Sequence, residues 1–314
     1  MIVVLLQKMI KTISEMKKGF LSTTIFVVML GVVMGFTACG NSNREVSESV
    51  SVDEIEPDTR FATIDSLAEF MAQQFADNTS LSKLESNYQA CSDAIMSYWA
   101  LNHKGEDDHA MTDIVFNELK AVADKLAEGS TTDMMESGDI SSAVAHYLTA
   151  KYYCDDNRSK PLYQAEMRDW LQFENELAGF YGQLATLANW GGSIAKVIAS
   201  GSRVFLAEKR DDDYSQLKKG GNFPNGEPMP ISEARANLIQ ELESAKSLED
   251  DLVNDENYRK SLKEMREKAD NLVVLLDKWL ESRKKLCEAE GIPEAHTAHF
   301  VDKLTRHIME IIEG

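Results

Sequence analysis

Apolar residues along most of this chain return every third or fourth position, the period of one helix face. The clearest run is Leu81, Leu84, Tyr88, Cys91, Ile95, Tyr98 and Leu101, opened by Ser80, whose hydroxyl can accept a first-turn N–H. Before it, Leu67, Phe70, Met71 and Phe75 mark a helix that follows Thr63. After the polar stretch Asn102 to Asp108, Ile114, Val115, Leu119, Val122 and Leu126 mark a third helix, with Gly129 at the usual C′ place. A fourth is predicted from near Asp139 or Ser141, carrying Val144, Tyr147 and Leu148 and ending by Asp155-Asp156-Asn157.

The centre of the chain reads as two helices joined at Trp190-Gly191-Gly192-Ser193. Pro161 is a good first helical residue because it has no N–H to leave unsatisfied. Behind it Trp170, Phe173, Leu177, Phe180, Leu184 and Leu187 keep to one face. Ser193 can cap the second helix, which carries Ile194, Val197, Ile198, Val204, Phe205 and Leu206. Gly201 sits inside it, where a glycine costs about 1 kcal/mol against alanine, and predicts a close approach by another helix.

Lys218 to Pro230 holds three glycines and three prolines, the clearest break in the chain and the predicted domain or subdomain boundary. Beyond it one helix is predicted from Ser232 to about Leu252. A second runs from about Tyr258 to Ala289 on the stripe Leu262, Met265, Ala269, Leu272, Leu276 and Trp279. These two predict an antiparallel hairpin, docked or projecting. Gly291 stops the run and Pro293 opens a terminal helix. No segment alternates with period two. The expected fold is all-α: a helical domain over residues 61–217, a linker at 218–231, and a C-terminal antiparallel helical hairpin plus terminal helix over 232–314.

Residues 1–39 stand apart. Met16-Lys17-Lys18 is a basic start, Phe20 to Phe36 is largely apolar, and Phe36-Thr37-Ala38-Cys39 ends in two small residues before a cysteine. That pattern resembles a bacterial lipoprotein signal peptide, with Cys39 as the lipidated residue and Met16 as a sufficient start. Residues 40–60, rich in Ser, Glu, Asp and Asn at their start, have little to bury and read as a disordered tether. The expected location is the cell envelope of a Gram-negative-type bacterium, outer-membrane-anchored and facing either the periplasm or the surface.

Charge narrows the partners. After residue 39 the chain carries 29 basic and 51 acidic residues, and no basic stripe appears. Nucleic acid is therefore excluded as a partner, whereas a cationic protein would be attracted. Three cysteines follow Cys39. The odd count leaves one thiol over, and buried free thiols are the first reading; if a disulfide forms, Cys91 and Cys154, which lie in the same half, are the pair.

The central pair carries a family resemblance. Arg168-Asp169-Trp170-Leu171-Gln172-Phe173, then Gly191-Gly192-Ser193-Ile194-Ala195, then Leu206-Ala207-Glu208-Lys209-Arg210 resemble the helical domain of the lysozyme-inhibitor LprI-like family in order and in most spacings. The chain departs from that family at Glu174, where the family has Arg. It also departs at Ala178 and Ser202, where the family has two cysteines. The resemblance implies binding, and inhibition, of lysozyme. The resemblance says little about which residues touch a lysozyme: Trp170, Phe173, Phe180, Tyr181 and Trp190 read first as core, and the candidate binding set is Trp170, Phe173, Trp190, Gly191, Gly192, Ser193 and Arg210.

Other constellations are weaker. His296 and His299 share a helix face, and Asp302 could complete a metal set by spacing, with His307 two turns on. Without support from the resemblance they read as surface histidines, and no metal or other cofactor is expected. Asp211-Asp212-Asp213 and the acidic loop between His103 and His109 read as solvated. No Gly-x-Ser-x-Gly, His-Glu-x-x-His or phosphate loop occurs, so the chain is read as a binding protein and not an enzyme. The alternative is a structural lipoprotein that docks an envelope partner through its C-terminal helices.

Overall fold

The computed structural model describes residues 56–76, 80–157, 160–188, 192–219, 229–247 and 255–313. The signal segment with Cys39, most of the tether, Trp190, Gly191 and residues 220–228 lie outside them. Among the described residues the fold is all-α, with nine α-helices and no strand. In chain order these are α1 (Ile64–Phe75), α2 (Leu81–Asn102), α3 (Met111–Ala127), α4 (Thr131–Lys151), α5 (Pro161–Ala188), α6 (Ser193–Lys219), α7 (Ile231–Lys246), α8 (Glu256–Glu290) and α9 (Glu294–Glu313).

Local chemistry sets most helix starts. Thr63 and Ser80 cap α1 and α2 through their hydroxyls, and Asp255 caps α8 through its carboxylate. The fourth helix begins two turns before the predicted position. Ser130 and Asp133 form a reciprocal capping box that nucleates it at Thr131, ahead of the first fully apolar core contact at Ile140. Gly291 ends α8 in the left-handed region at φ 69°, a conformation that costs glycine nothing. A π-helical turn, Tyr152–Asn157, follows α4 and turns Tyr153 and Cys154 into the core.

The longest central helix, α5, spans 28 residues, or about 42 Å. It is the hub. Its stripe from Met167 through Trp170, Phe173, Leu177 and Leu184 is buried, and so are Tyr163, Phe180 and Tyr181. A helix apolar around more than one face must be covered on more than one side. Here α6 covers one side, α8 lies along another, and α9 closes part of the remainder. Trp170, Phe173, Trp279 and Phe300 form the aromatic centre, with Phe173 and Trp279 stacked at 5.8 Å and Trp170 edge-on to Trp279 at 5.2 Å.

The close helix approach expected at Gly201 occurs elsewhere. Gly201 is exposed, and a Cβ placed there would meet nothing within 4 Å. The contact falls at Gly138 of α4, where a side chain would collide with Ser200 of α6. That glycine sits in a polar run and gives no periodic signal.

Residues Pro57–Glu313 form one compact unit, so the Gly/Pro-rich stretch connects two parts of the same core. The helices beyond it do form the antiparallel hairpin. Arg235 of α7 pairs with Asp277 of α8 at 2.5 Å, and Lys246 with Asp270 at 2.6 Å, residues running in opposite directions. The hairpin is docked: Leu262, Met265, Ala269, Leu272, Leu276 and Trp279 are all buried, and α8 packs chiefly on α5. The apolar face that could have taken a helical partner is already covered. The candidate Cys91–Cys154 disulfide does not form: Cys91 on α2 and Cys154 in the π turn are both buried free thiols, the first reading of the sequence.

Docking of the hairpin gives a direct stability prediction. Leu276→Ala should cost about 2–5 kcal/mol through lost burial and the cavity left behind. Val274→Ala, two residues away but 66% exposed, should change stability by less than about 0.5 kcal/mol. Urea denaturation of the two variants separates these outcomes.

Candidate functional site

The C-terminal core encloses charges. Glu166 stands one turn before Trp170 on α5, and Arg283 one turn after Trp279 on α8, each in line with its helix's apolar stripe. On α6, Arg210, Asp213 and Tyr214 share one face by their spacing of three and four. Arg210 Nη2 donates to Glu166 Oε2 at 2.5 Å, and its Nη1 to Asp213 Oδ2 at 2.9 Å. Arg283 Nη2 donates to Asp213 Oδ1 at 2.6 Å, and its Nη1 to Glu166 Oε1 at 3.3 Å. The four side chains thus close a ring in which every acid touches both bases. Each residue is at most 5% exposed.

Most of the ring's remaining valences are met locally, although Arg210 Nε is buried with no hydrogen-bond partner among the described residues. Trp279 Nε1 donates to Glu166 Oε1 at 2.7 Å, and the Tyr214 hydroxyl to Oε2 at 3.3 Å. The Arg210 guanidinium lies between the Trp170 and Tyr214 rings, at 4.7 and 4.3 Å from their centroids. Arg283 Nε reaches Thr297 of α9. Burial alone would push Glu166 up. Arg210 and then Arg283 outweigh that by attraction, helped by hydrogen bonds from Arg210 and Trp279, and hold its carboxyl below the usual range. The arrangement is formally neutral and closed to solvent. Chemically it can fix the relative register of α5, α6, α8 and α9; it has no exposed atom to offer a substrate.

The residues assigned to binding therefore separate. Trp170 and Phe173 are fully buried and Arg210 belongs to the ring, so a partner at the surface reaches none of them. Gly192 and Ser193 are exposed at the start of α6. Asp211 and Asp213, expected on a solvated face, are buried, while Asp212 faces Lys303 of α9 at 3.6 Å. Ala178 borders a cleft, and Ser202 faces α9.

The C-terminal histidines also differ from expectation. His296 and His307 are buried and not on the surface, because α9 presents them to α6 and α8. Among the described residues no three His, Cys, Asp or Glu side chains converge as a metal set. Ser202 Oγ lies 3.1 Å from His307 Nε2, and His307 Nδ1 lies 3.3 Å from Glu310 Oε2, the spacings of a nucleophile–base–acid relay. The Ser202 hydroxyl donates to the Ile198 carbonyl at 2.9 Å, so that proton is not offered to His307. Ser202 is also 1% exposed, whereas Glu310 faces solvent. The trio pins α9 to α6, and Phe205 stacked on His307 at 4.0 Å reinforces it.

Two surface features remain. A cleft of about 50 Å³ lies among α1, α4, α5 and α6, bordered by Phe75, His146, Glu174 and Arg203. The other is charge. Residues 56–157 carry 19 acidic side chains against 6 basic ones. Asp65, Glu69, Glu85, Asp93, Glu106, Asp107, Asp113 and Glu128 are all exposed. The large exposed apolar residues, Met96, Leu162, Ile194, Val274 and Met309, are scattered over five different helices, an ordinary surface distribution. No helix among the described residues is long and apolar enough to cross a membrane. Comparison of the chain with known families, curated proteins and solved structures finds no match.

Removing one member of the ring leaves its partners charged and dry. Arg283→Met should therefore lose about 3–5 kcal/mol in denaturant unfolding. The lowered Glu166 pKa also fixes a sign. Its contribution is present above the unfolded carboxyl value of about 4.3 and is lost as pH falls through the lower folded value. Denaturation at about pH 7 and about pH 3 should show a smaller acid-induced loss in Glu166→Gln than in the natural chain, a difference set by this group alone.

Proposed function

We propose that this chain is a lipid-anchored cell-envelope protein, held by a lipid on Cys39, that binds a basic protein through the acidic surface of α1–α4. Lysozyme is the partner to which the sequence resemblance leads. The observation that carries the reading is the charge imbalance of residues 56–157, with 19 acids to 6 bases and most of the acids exposed. Residues 158–314 hold 28 acids and 22 bases, so the imbalance belongs to one part of the fold and is not a general property of the chain. A concentrated field of one sign steers an oppositely charged protein and raises its rate of encounter. The lipobox-like Phe36-Thr37-Ala38-Cys39 supports the anchor. The central Arg-x-Trp and Gly-Gly-Ser segments support the choice of lysozyme.

The test is kinetic. Immobilised full chain should bind lysozyme with an association rate that falls about tenfold as salt rises from about 50 to about 300 mM, while dissociation changes less. The double variant Glu106→Lys, Asp113→Lys should slow association several-fold; Glu106 contacts His103 and Asp113 sits in the first turn of α3, so a thermal melt should confirm that the variant is folded. Absence of lysozyme binding, or association indifferent to salt and to these substitutions, would overturn the reading.

A further inference from the structure

We propose that the cleft among α1, α4, α5 and α6 takes an alkylammonium group, and that in the complex with a basic protein this group is the tip of a lysine side chain. The lysine assignment rests on the acidic-surface reading above; the ammonium site itself does not.

Glu174 carries the inference. It is 7% exposed and lines the cleft, yet no hydrogen bond reaches its carboxylate among the described residues. The one ion-pair contact it makes is with His146 Nε2, at 3.9 Å, beyond hydrogen-bond range. Burial lowers the His146 pKa against the pull of Glu174, so the ring is neutral near neutral pH and supplies no counter-charge. A nearly buried carboxylate that opens only onto the cleft and has no protein donor is a place for a cationic group.

The surroundings select the group. At the mouth Arg203 and Asp139 pair at 2.6 Å and cancel each other, leaving Glu174 as the uncompensated charge. Ala72, Ala143, Ala178 and Leu206 give the cleft an apolar wall that suits a methylene stem, and Ser142 and Asn175 add polar groups to the same lining. Phe75 adds an aromatic ring to the same lining, a favourable neighbour for a cation. A calcium-type ion needs six or more oxygen ligands, which one free carboxylate does not provide. A guanidinium is a broad five-donor head for a cleft of about 50 Å³ with one uncompensated carboxylate, whereas an ammonium on an alkyl chain meets both the charge and the apolar wall.

The test uses n-butylammonium chloride and sodium butyrate, the same stem with opposite charge, added to the full chain. Binding is followed by chemical-shift changes at the Ala72, Ala143 and Ala178 methyl groups. Butylammonium should saturate these shifts with a dissociation constant in the millimolar range, and butyrate should not. Glu174→Gln should weaken binding at least tenfold. Ala178→Leu, which fills the cleft and keeps the carboxylate, should weaken it similarly, and thermal melts report whether each variant folds. No saturation in the natural chain, equal saturation by butyrate, or unchanged binding in a folded Glu174→Gln would overturn the site. If Glu174→Gln fails to fold, Ala178→Leu decides. Lysozyme affinity should also fall at least tenfold in Glu174→Gln, and an unchanged value would overturn the lysine assignment. A natural chain that ignores lysozyme yet binds butylammonium would sink the acidic-surface reading, and the lysine assignment with it, while the ammonium site stands.

Discussion

Four charged side chains from three helices meet where water does not reach, and the register of the C-terminal core follows from their need to touch. Glu166, Arg210, Asp213 and Arg283 each contact two members of opposite sign. In a low-dielectric interior, attraction offsets desolvation only while the geometry holds. A slip of α6 or α8 by a single residue along α5 would swing a charge off its partners and bury it alone. Apolar contacts tolerate such a slip far better, because one leucine substitutes for another. The ring therefore acts as a register device laid over an otherwise permissive greasy core. Thr297 and the Ser202–His307 contact extend the same control to α9.

Around that centre, α5 organises both parts of the molecule. Its one side accepts α6, and through it α4, where Gly138 lets the backbones approach. Its other side accepts α8 and part of α9, and α7 packs chiefly on α9. The outward surfaces of the two parts differ in charge character. On the hairpin, acids and bases pair off along the helices and across them, as Arg235 does with Asp277 and Lys246 with Asp270. On α1–α4 the acids have few bases to meet. A long-range field therefore emanates from that part, and the half-open cleft with the lone Glu174 lies at its border with α5 and α6.

How far this was readable in the chain can be seen at single residues. Ser80, Pro161 and Gly291 mark helix ends through local chemistry, and each does so in the fold. The start of α4 was misplaced because its first two turns, Thr131 to Ser137, are mostly polar and only the capping box betrays them. Arg283 was legible in principle: it continues the stripe Leu272, Leu276, Trp279, so a charge there predicts a buried partner. Without knowing which helices face each other, Glu166 and Asp213 could not be named as that partner. Trp170 and Phe173 were rightly placed on one face, yet periodicity alone does not say whether a face meets the core or another protein.

By itself, then, the sequence determined an all-helical chain, most of its helix limits and the excess of acid, since these depend on neighbours within a few positions or on composition; that α7 packs chiefly on α9 was left to the tertiary structure. Tertiary structure alone decided that the Gly/Pro stretch joins one core, that Cys91 and Cys154 stay apart, that His296 and His307 are interior, and that Glu174 faces a cleft without a donor. Each of these depends on which residues distant along the chain come within a few ångströms of one another, and helical periodicity is silent about the identity of the opposing surface.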